Sequence, residues 1–527
     1  MLKRRTFLSG STAVLMAPAV SQAESKRVLR FTLNEDISGL DPQRTISGST
    51  RIHAFAVFDT LFGMNSDHTV SPQMVEGALV EDDGKRWTLT LREGLRFHDG
   101  EPVLARDCVA SIRRWVPRNV FGQALLSATD ELSAADDRRI VFRLKKPFPL
   151  LPDALGTPTE GLPVIMPERL ANSGDAPIKE MIGSGPFRFK ADERVAGVLA
   201  VYERFADYQP REGGTPDWLA GPKIAYFGRI EWKVMPDAST RAAALQNAEL
   251  DWWGVITPDL GPLLRRDSHI RLVVADSLGH MLTMMMNHLQ PPFSNGDIRR
   301  AVLRAVNQRD FVLAVAGAEP EICRTEVGLF PPGSSMASDA GLDVFRNEPD
   351  IERIRRDIMA AGYSGERVVV MSPADNFASR PCAEVGADML RKLGMNVDFQ
   401  SMDLATLLAR VFNKSHVDKG GWSCWFPDWV GLSLRDPAVN PVVRGNGTAG
   451  PPPWTTSPRL EKLREAWFDA GDLVTRQRIA AEIQVQALAD VTTIPLGLFY
   501  DRAAYRTELE GVLPGWPTVF WNARRRD

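Results

Sequence analysis

The sequence predicts a mixed α/β protein that folds into two lobes. Strand-like and helix-like runs alternate along the chain, and no internal repeat is visible. The length of 527 residues exceeds what one hydrophobic core normally organises, so two or more lobes are expected. Segments rich in proline and glycine at 209–222, 330–335 and 445–453 lie between the periodic runs and are typical of surface loops.

Strands are predicted where apolar residues alternate with polar ones. In the segment 87–92, Trp87, Leu89 and Leu91 occupy one face and polar residues occupy the other, which is the pattern of a half-buried strand. Strands are predicted over 28–33, 87–91, 140–144, 187–190, 231–235, 281–286, 368–371, 397–400 and 493–498.

Helices are predicted where apolar residues recur every three or four positions. In the segment 384–393, Val385, Met389 and Leu393 recur at intervals of four, and Gly394 supplies a left-handed stop. Helices are predicted over 106–116, 239–247, 297–306, 351–361, 384–393 and 474–490.

Residues 1–23 are interpreted as a signal peptide of the twin-arginine type. Three basic residues precede a short apolar run, and Ser21-Gln22-Ala23 has the pattern of a cleavage site. The letters KRRTFL resemble a twin-arginine motif, and an ordinary secretory signal is the alternative. The apolar run is too short and too polar for a permanent anchor, and no cysteine precedes Cys108 to carry a lipid. We therefore expect an exported protein in the periplasm that is not lipid-anchored.

The charge balance argues against nucleic acid or anionic lipid as a partner. The whole sequence has a net charge of −3, and the mature chain would carry 60 basic and 66 acidic residues. A mildly acidic protein without basic blocks offers no electrostatic footprint for polyanions.

Motifs that carry catalysis or metal binding are absent from the sequence. It contains no GxSxG, no HExxH, no P-loop and no GxGxxG. The seven histidines are scattered, and the cysteines (Cys108, Cys323, Cys382 and Cys424) lack the spacing of a zinc site, although a disulfide is possible in an oxidising compartment. We expect no enzyme activity, no cofactor and no metal.

Five stretches of the sequence, in one order, carry a resemblance to a known family. The first is GALVEDDGKRWTLTLREGLRFHDG from Gly77, continued by EPVLARDCVASIRRW. The others are IGSGPFRFK from Ile182, NHLQPPFSNGDIRRAVLRAVNQRD from Asn287, RKLGMNVDFQ from Arg391 and DVTTIPLGLF from Asp490. Over about 400 residues they resemble the extracytoplasmic solute-binding proteins of family 5, the peptide, nickel and opine receptors of ABC importers.

This resemblance implies a periplasmic binding protein of type II, of the large, peptide-receptor class, with a hinge between the lobes. In that family one lobe uses both chain ends and the other is inserted. We accordingly expect lobe I with an extra subdomain over 24–286, lobe II over 287–492, and a return to lobe I over 493–527. The same family carries His98-Asp99-Gly100 as a structural turn, so we do not interpret His98 as catalytic.

The aromatic segment 422–429 is the strongest local candidate for a ligand site. It places Trp422, Trp425 and Trp429 close to Asp428, which suits an amphipathic or cationic solute. A buried core strand is the alternative, although Pro427 argues against a long central strand. The resemblance implies that this loop faces the ligand.

Further ligand contacts are implied by the positions that line the cleft in relatives. Arg380 matches an arginine that peptide binders use, although an exposed arginine at a helix start is the alternative. In the other lobe, Asn34, Glu35 and one of the pair Trp252-Trp253, with Trp253 as our choice, are expected at the cleft. Ser184 lies in a Gly-Ser-Gly turn that is structural in the simplest interpretation and contacts the ligand in the other.

The sequence therefore predicts the substrate-binding component of an ABC importer. It would capture a small peptide-like, opine-like or other amphipathic solute and deliver it, as a monomer, to a permease and ATPase. The alternatives are a secreted hydrolase and an extracytoplasmic sensor or chaperone. Trp425 stands where peptide-binding relatives place the carboxylate for the ligand ammonium, so a general dipeptide receptor is not expected unless Asp428 replaces it.

Overall fold

A computed structural model of the protein describes residues 27–526 except 34, 38, 45, 46, 160 and 318. The predicted signal peptide therefore lies outside the described residues. The strands are β1 Val28–Leu33, β2 Asp59–Thr60, β3 Phe62–Met64, β4 Val70–Pro72, β5 Val75–Glu81, β6 Arg86–Leu91, β7 Thr129–Ala134, β8 Arg139–Leu144, β9 Val164–Ile165, β10 Phe187–Phe189, β11 Leu199–Arg204, β12 Arg229–Val234, β13 Trp252–Trp253, β14 Ile270–Val274, β15 His280–Met286, β16 Cys323–Arg324, β17 Arg367–Pro373, β18 Asn396–Met402, β19 Cys424–Trp425, β20 Asp428–Val430, β21 Ile494–Phe499, β22 Arg502–Arg506, β23 Leu509–Glu510 and β24 Arg524–Arg525.

The α-helices, numbered here in chain order, complete the mixed α/β architecture. They are α1 Gly48–Val57, α2 Ala105–Trp115, α3 Val120–Ala128, α4 Leu151–Leu155, α5 Glu168–Ala171, α6 Ala238–Gln246, α7 Gly261–Arg265, α8 Gly296–Leu303, α9 Gln308–Ala316, α10 Ile351–Ala360, α11 Ser379–Lys392, α12 Leu404–Val411, α13 Pro458–Asp469 and α14 Leu473–Asp490.

The first large sheet has the order β10-β11-β12-β1-β13-β22-β14. Its central strand β1 pairs in parallel with β12 and β13, and β22 from the chain's end pairs antiparallel with β13 and β14. The buried rings of Phe31, Trp232 and Trp252 pack on one face, where Phe31 meets both tryptophans edge to face. Both ends of the chain therefore contribute to this lobe.

A smaller antiparallel sheet, β5-β6-β8-β7, is inserted between β1 and β10. Its strand β6 contains the alternating pattern of the sequence: Leu89 and Leu91 are buried, while Thr88 and Thr90 on the other face are half-buried. Helix α2 packs on it through Cys108, Ile112 and other apolar side chains. This sheet lies in the chain segment for which the extra subdomain is predicted.

The second large sheet has the order β16-β21-β15-β19-β17-β18, with β20 also paired to β15. Helices α9 and α11 cover one face, where Phe311 and Leu390 are buried. Helix α12 covers the other face through Leu407 and Val411. Because β15 and β21 belong to this sheet, the chain passes between the two large sheets at 275–279 and 500–501, not at the predicted boundaries 286/287 and 492/493.

Proline 427 interrupts the aromatic segment as the sequence suggested. Strand β19 ends at Trp425, and β20 resumes at Asp428 on a different part of β15. Between them the carbonyl of Pro427 accepts a hydrogen bond from the amide of Thr283 at 3.0 Å. Proline has no amide proton to give a central strand, so the strand is interrupted at Pro427, although the pairs on both sides of it keep one register with β15.

The two lobes also touch away from the connections. Phe148 of the small-sheet subdomain stacks on Phe468 of α13 at 6.3 Å between ring centroids. Lys146 pairs with Asp469 at 2.6 Å, and Arg435 Nη2 donates to Thr157 Oγ1 at 3.5 Å. These contacts join the two lobes outside the two connections.

All predicted strands and helices are present, with ends that differ by a few residues, and Gly394 follows α11 at a φ of +80°. The longer elements that were not predicted are α1, β5, α3, β7, β11, β14, α9, α12, α13 and β22. Within 27–526, no helix of the described chain has the length and apolar character that crossing a membrane needs. The four cysteines are free, so the possible disulfide is not formed.

Candidate functional site

Both large sheets direct the carboxyl ends of their parallel strands toward the two connections. In the first sheet β1 ends at Leu33 and β13 at Trp253, and the backbone of Ile256 just beyond bonds to Arg502, where the second connection enters β22. In the second sheet β17 ends at Pro373 beside Met402, the end of β18. In open α/β sheets, ligands bind outside the carboxyl ends of the strands, so the space between these edges is the candidate site.

The two connections lie side by side. The amide of Ala275 donates to the carbonyl of Asp501 at 2.9 Å, and His280 is opposite Phe499 in the pairing of β15 with β21. A third segment joins them, since the amide of Gly431 donates to the carbonyl of Gly279 at 2.7 Å. The joint has few backbone links, which is the structural requirement for a hinge.

A histidine at this joint is held between two carboxylates. His280 Nε2 lies 2.9 Å from Asp501 Oδ2, and His280 Nδ1 lies 3.4 Å from Asp428 Oδ2. Burial lowers the pKa of His280, but the two carboxylates outweigh it, and the pKa lies well above its usual value. The imidazolium is therefore the stable form, and it ties β15 to β20 and to the second connection.

The carboxylate of Asp428 is already used by the protein. Its Oδ1 accepts from Ser379 Oγ at 3.0 Å and from Asn376 Nδ2 at 3.3 Å, and its Oδ2 faces His280. Burial raises the pKa of Asp428, yet these hydrogen bonds and the charge of His280 hold it below its usual value. Asp428 thus fixes the start of α11, and it has little capacity left for a ligand cation.

Asp276, in the first connection, has a different environment. Its side chain is only 6% exposed; Oδ1 accepts from the amide of Leu278 at 3.1 Å, and Oδ2 has no hydrogen-bond partner. Burial raises the pKa of Asp276 to about 6, and the positive charges of His280 and Arg51 oppose this shift while Asp501 adds to it. The first lobe contributes Arg51 from α1, so both lobes meet around this carboxylate.

Trp425 and Trp429 lie on the opposite face of the second sheet from Asp428. Trp425 is opposite Met285 and Trp429 is opposite Met281, whereas Asp428 is opposite Leu282. Alternate residues of a strand point to opposite faces, and the contacts agree: Trp429 Nε1 donates to Thr283 Oγ1 at 3.1 Å. The expected pocket of aromatic rings around one carboxylate is therefore not formed.

The remaining aromatic predictions fall in the cores of the lobes. Trp422 is fully buried, donates to the carbonyl of Val411 at 3.0 Å and lies 5.9 Å from the ring of Trp454. Trp425 is 6% exposed, and its indole nitrogen has no partner. Trp253 is fully buried with Arg241 over its ring at 4.8 Å. Trp425 at the end of β19 and Trp253 at the end of β13 both lie at the edges that face the connections, whereas Trp422 precedes β19.

The polar predictions are dispersed. Arg380 Nε pairs with Glu384 at 3.1 Å and 58% of the arginine side chain is exposed, which matches the alternative interpretation. Glu35 is exposed and accepts from the amide of Ser49 at the start of α1. Asn34 lies outside the described residues.

Ser184 lies near the end of α1 that is away from the edge facing the two connections. The amide of Gly185 donates to the carbonyl of Val57, and a Cβ on Gly183 would clash with that carbonyl oxygen. His98 Nε2 is 3.0 Å from the carbonyl of Gly185, and burial lowers the pKa of His98 to about 4. These contacts hold the turn and His98 against the end of α1, and a ligand contact of Ser184 stays a prediction.

Sequence reasoning missed the residues that the joint brings together: Asp276, His280 and Asp501. The available signal was weak, because His280 opens an apolar strand and the two aspartates flank the predicted lobe crossings. Across the described ranges, no cluster of three or more His, Cys, Asp or Glu side chains forms a metal site.

A separate groove lies on the surface of the second lobe. It has a volume of about 590 Å³ and is lined by Arg300, Arg304, Asp357 and Leu488 among others. None of its lining residues belongs to the edges or connections that define the candidate site, so it is not part of that site.

Known proteins resemble this chain over most of its length. The model of the bacterial extracellular solute-binding proteins, family 5 Middle, matches residues 69–450. The probable peptide ABC transporter periplasmic-binding protein y4tO of Sinorhizobium fredii is 34% identical over 534 residues, 99% of each chain. The glutathione-binding protein GsiB of Pectobacterium atrosepticum is 25% identical over 506 residues, 93% of this chain and 92% of the relative.

Solved structures share the fold at lower identity. The binding protein AgaA from A. tumefaciens R10, in complex with agropinic acid, superposes with a TM-score of 0.77 at 21% identity, covering 95% of this chain and 99% of the other. DppA from Helicobacter pylori, in complex with the peptide STSA, has a TM-score of 0.79 at 18% identity, covering 96% and 100%. These structures confirm the predicted two-lobe fold with its hinge.

Proposed function

This chain belongs to the bacterial extracellular solute-binding proteins of family 5, and on that premise we propose that it captures a small solute for an ABC importer. The observation that carries the proposal is the joint itself. Two adjacent connections join two sheets whose carboxyl edges face each other, and charged groups from both lobes meet there. Rotation about such a joint closes the edges over a solute and removes it from water.

The ligand we propose is a peptide-like, opine-like or other amphipathic compound. Support comes from the relatives, whose names state peptide and glutathione binding, and from the AgaA complex with agropinic acid. We keep Trp425 and Glu35 as proposed ligand contacts, because they lie at the two facing edges. Arg380, Trp422, Asp428, Trp253 and Ser184 have lower priority because of the contacts described above.

The partners follow from the same premise. We propose that the chain works as a monomer in the periplasm and passes its solute to a membrane permease driven by an ATPase. We propose no catalytic role. The free energy that closes the lobes would come from solute binding alone. A ligand at one hundred times its Kd stabilises the folded state by about 2.7 kcal/mol.

Two measurements test this function. Native mass spectrometry of the protein isolated from its own periplasm should show an intact bound solute, whereas a hydrolase would release products. Small-angle scattering with a saturating, thermally stabilising solute should show compaction. A stabilising solute that leaves the dimensions unchanged would overturn closure, and turnover of the solute would overturn the receptor assignment.

A further inference from the structure

We propose that Asp276 is the anchor for a cationic group, a primary ammonium or a guanidinium, of the solute that this protein captures. The inference rests on the proposed function and names the chemistry of its site. Asp276 lies in the first connection, at residues 275–279, where the carboxyl edges of both large sheets converge. A group held there would contact both lobes and the joint between them.

The first support is an unused hydrogen-bond acceptor. Asp276 Oδ1 accepts from the amide of Leu278, but Oδ2 is buried and accepts from nothing. Among the residues that the structure describes, it is the one buried carboxylate oxygen in this condition. Buried polar atoms are nearly always hydrogen-bonded in folded proteins, so an open carboxylate oxygen at a ligand-binding edge calls for a donor from the ligand.

The second support is the charge of the surrounding groups. The charges that act on Asp276 are those of His280, Asp501 and Arg51, and His280 is also paired with Asp428. In this set three carboxylates stand against two cations, so the cluster carries one excess negative charge. A ligand cation would neutralise it, and a charge-assisted hydrogen bond to Oδ2 would be stronger than one from a neutral donor.

The third support is that the other carboxylates are engaged. Both oxygens of Asp428 are used by Ser379, Asn376 and His280, and Asp501 Oδ2 is used by His280. A purely structural role for Asp276 would need only the bond to Leu278, which the side-chain oxygen of asparagine also provides. The charge is therefore not required by the turn, and it costs free energy to bury without a partner.

The test compares Asp276→Asn with the matched control Asp153→Asn. Asp153 is another carboxyl group whose pKa burial raises to about 6, but it lies in α4 near Asp436 and outside the joint. The probes are two pairs, Met-Leu with N-acetyl-Met-Leu and glutathione with N-acetylglutathione. The members of each pair differ at the amino nitrogen alone, where acetylation removes the positive charge and adds an acetyl group. Calorimetry gives the ratio of affinities within each pair.

We expect the wild type and D153N to prefer the free amine in at least one pair, and D276N to reduce that preference about 10- to 100-fold. Any effect of D153N on closure would scale both members of a pair alike. The inference is overturned if the wild type binds both members equally or if D276N keeps the wild-type preference. In either case, compaction on binding would leave the receptor function standing.

A measurement without any solute provides the second arm. A carboxylate kept for a ligand and left unpaired destabilises the empty protein, so D276N should raise the Tm at pH 7. A lower Tm for D276N would show that Asp276 stabilises the fold, and it would overturn the inference whether or not a probe binds. If no probe stabilises or compacts the wild type and the isolated protein carries no solute, the proposed receptor function is wrong, and the inference about Asp276 is then wrong as well.

Discussion

Asp59 and Asp276 are both buried carboxylates, one in the core of the first lobe and one at the joint, and they are satisfied to different degrees. Asp59 Oδ1 accepts from Lys223 Nζ at 2.8 Å and from the amide of Thr60 at 2.9 Å, and Oδ2 accepts from Tyr208 at 3.0 Å. Asp276 has one donor for its two oxygens. Burial alone therefore does not identify a functional carboxylate. Burial together with a carboxylate oxygen that accepts no hydrogen bond does.

The largest expected effect is at the satisfied pair. Lys223 is fully buried and lies 4.7 Å above the ring of Trp521, so Lys223→Met would leave the charge of Asp59 buried without its cation. We expect the free energy of unfolding to fall by about 3–5 kcal/mol in urea titration. The double variant D59N/K223M should recover part of the loss. A cost below about 1 kcal/mol would remove the contrast between the two sites.

A smaller effect is expected at the histidine of the joint. His280→Gln removes the cation between Asp428 and Asp501 and should cost about 2 kcal/mol in urea titration, less than a fully buried pair because these side chains are 11–18% exposed. The folded pKa of His280 lies above that of the unfolded chain. Its contribution is therefore complete below the unfolded pKa of about 6.5 and is lost as the pH rises through the folded pKa.

The matched control is His416→Gln, since His416 is half-exposed beside Asp418. We expect its effect to stay within about 0.5 kcal/mol at every pH. An equal cost for both histidine variants, or a cost for H280Q that does not diminish at alkaline pH, would contradict the role of His280 as a paired imidazolium.

The third prediction has the opposite sign. Burial raises the pKa of Asp276 in the folded state to about 6, which is above its pKa in the unfolded chain. At pH values between the two, the Asp276 carboxyl group is therefore protonated more often in the folded state than in the unfolded state. Wild-type stability should then fall as the pH rises from about 4 to about 6 through this group. D276N should exceed the wild type by about 1–2 kcal/mol in unfolding free energy at pH 7 and match it near pH 4. Thermal or urea unfolding at both pH values would reveal a constant difference if the effect had another origin.

The smallest effect is expected at Arg380. Its guanidinium is exposed and pairs with Glu384 one turn along α11, so R380A should change stability by less than about 0.5 kcal/mol. Affinity for the isolated solute should stay within about twofold by calorimetry. A loss of tenfold or more would return Arg380 to the site, as the sequence first suggested, and would show that a ligand draws it away from Glu384.

Local sequence patterns were sufficient to predict most of the secondary structure discussed here. The alternation in β6, the four-residue recurrence in α11 with its glycine stop, and the break at Pro427 are set by side-chain periodicity and backbone sterics within a few residues. Such signals need no tertiary information, and the structure confirms all three of these predictions. The five stretches that resemble family 5 could also be identified in the sequence, and this resemblance implied the two-lobe fold.

The tertiary structure decided where those elements pair and what meets at the joint. Strands β15 and β21 read as lobe boundaries in the sequence, but their hydrogen bonds place both inside the second sheet. Trp425 and Asp428 pair with Met285 and Leu282 of β15 in one register, so the alternation of an extended strand puts them on opposite faces. Arg51, Asp276 and Asp501 come from three distant segments. Their shared electrostatics arises only when strand pairing brings those segments together, because a pKa shift depends on distances in space and not along the chain.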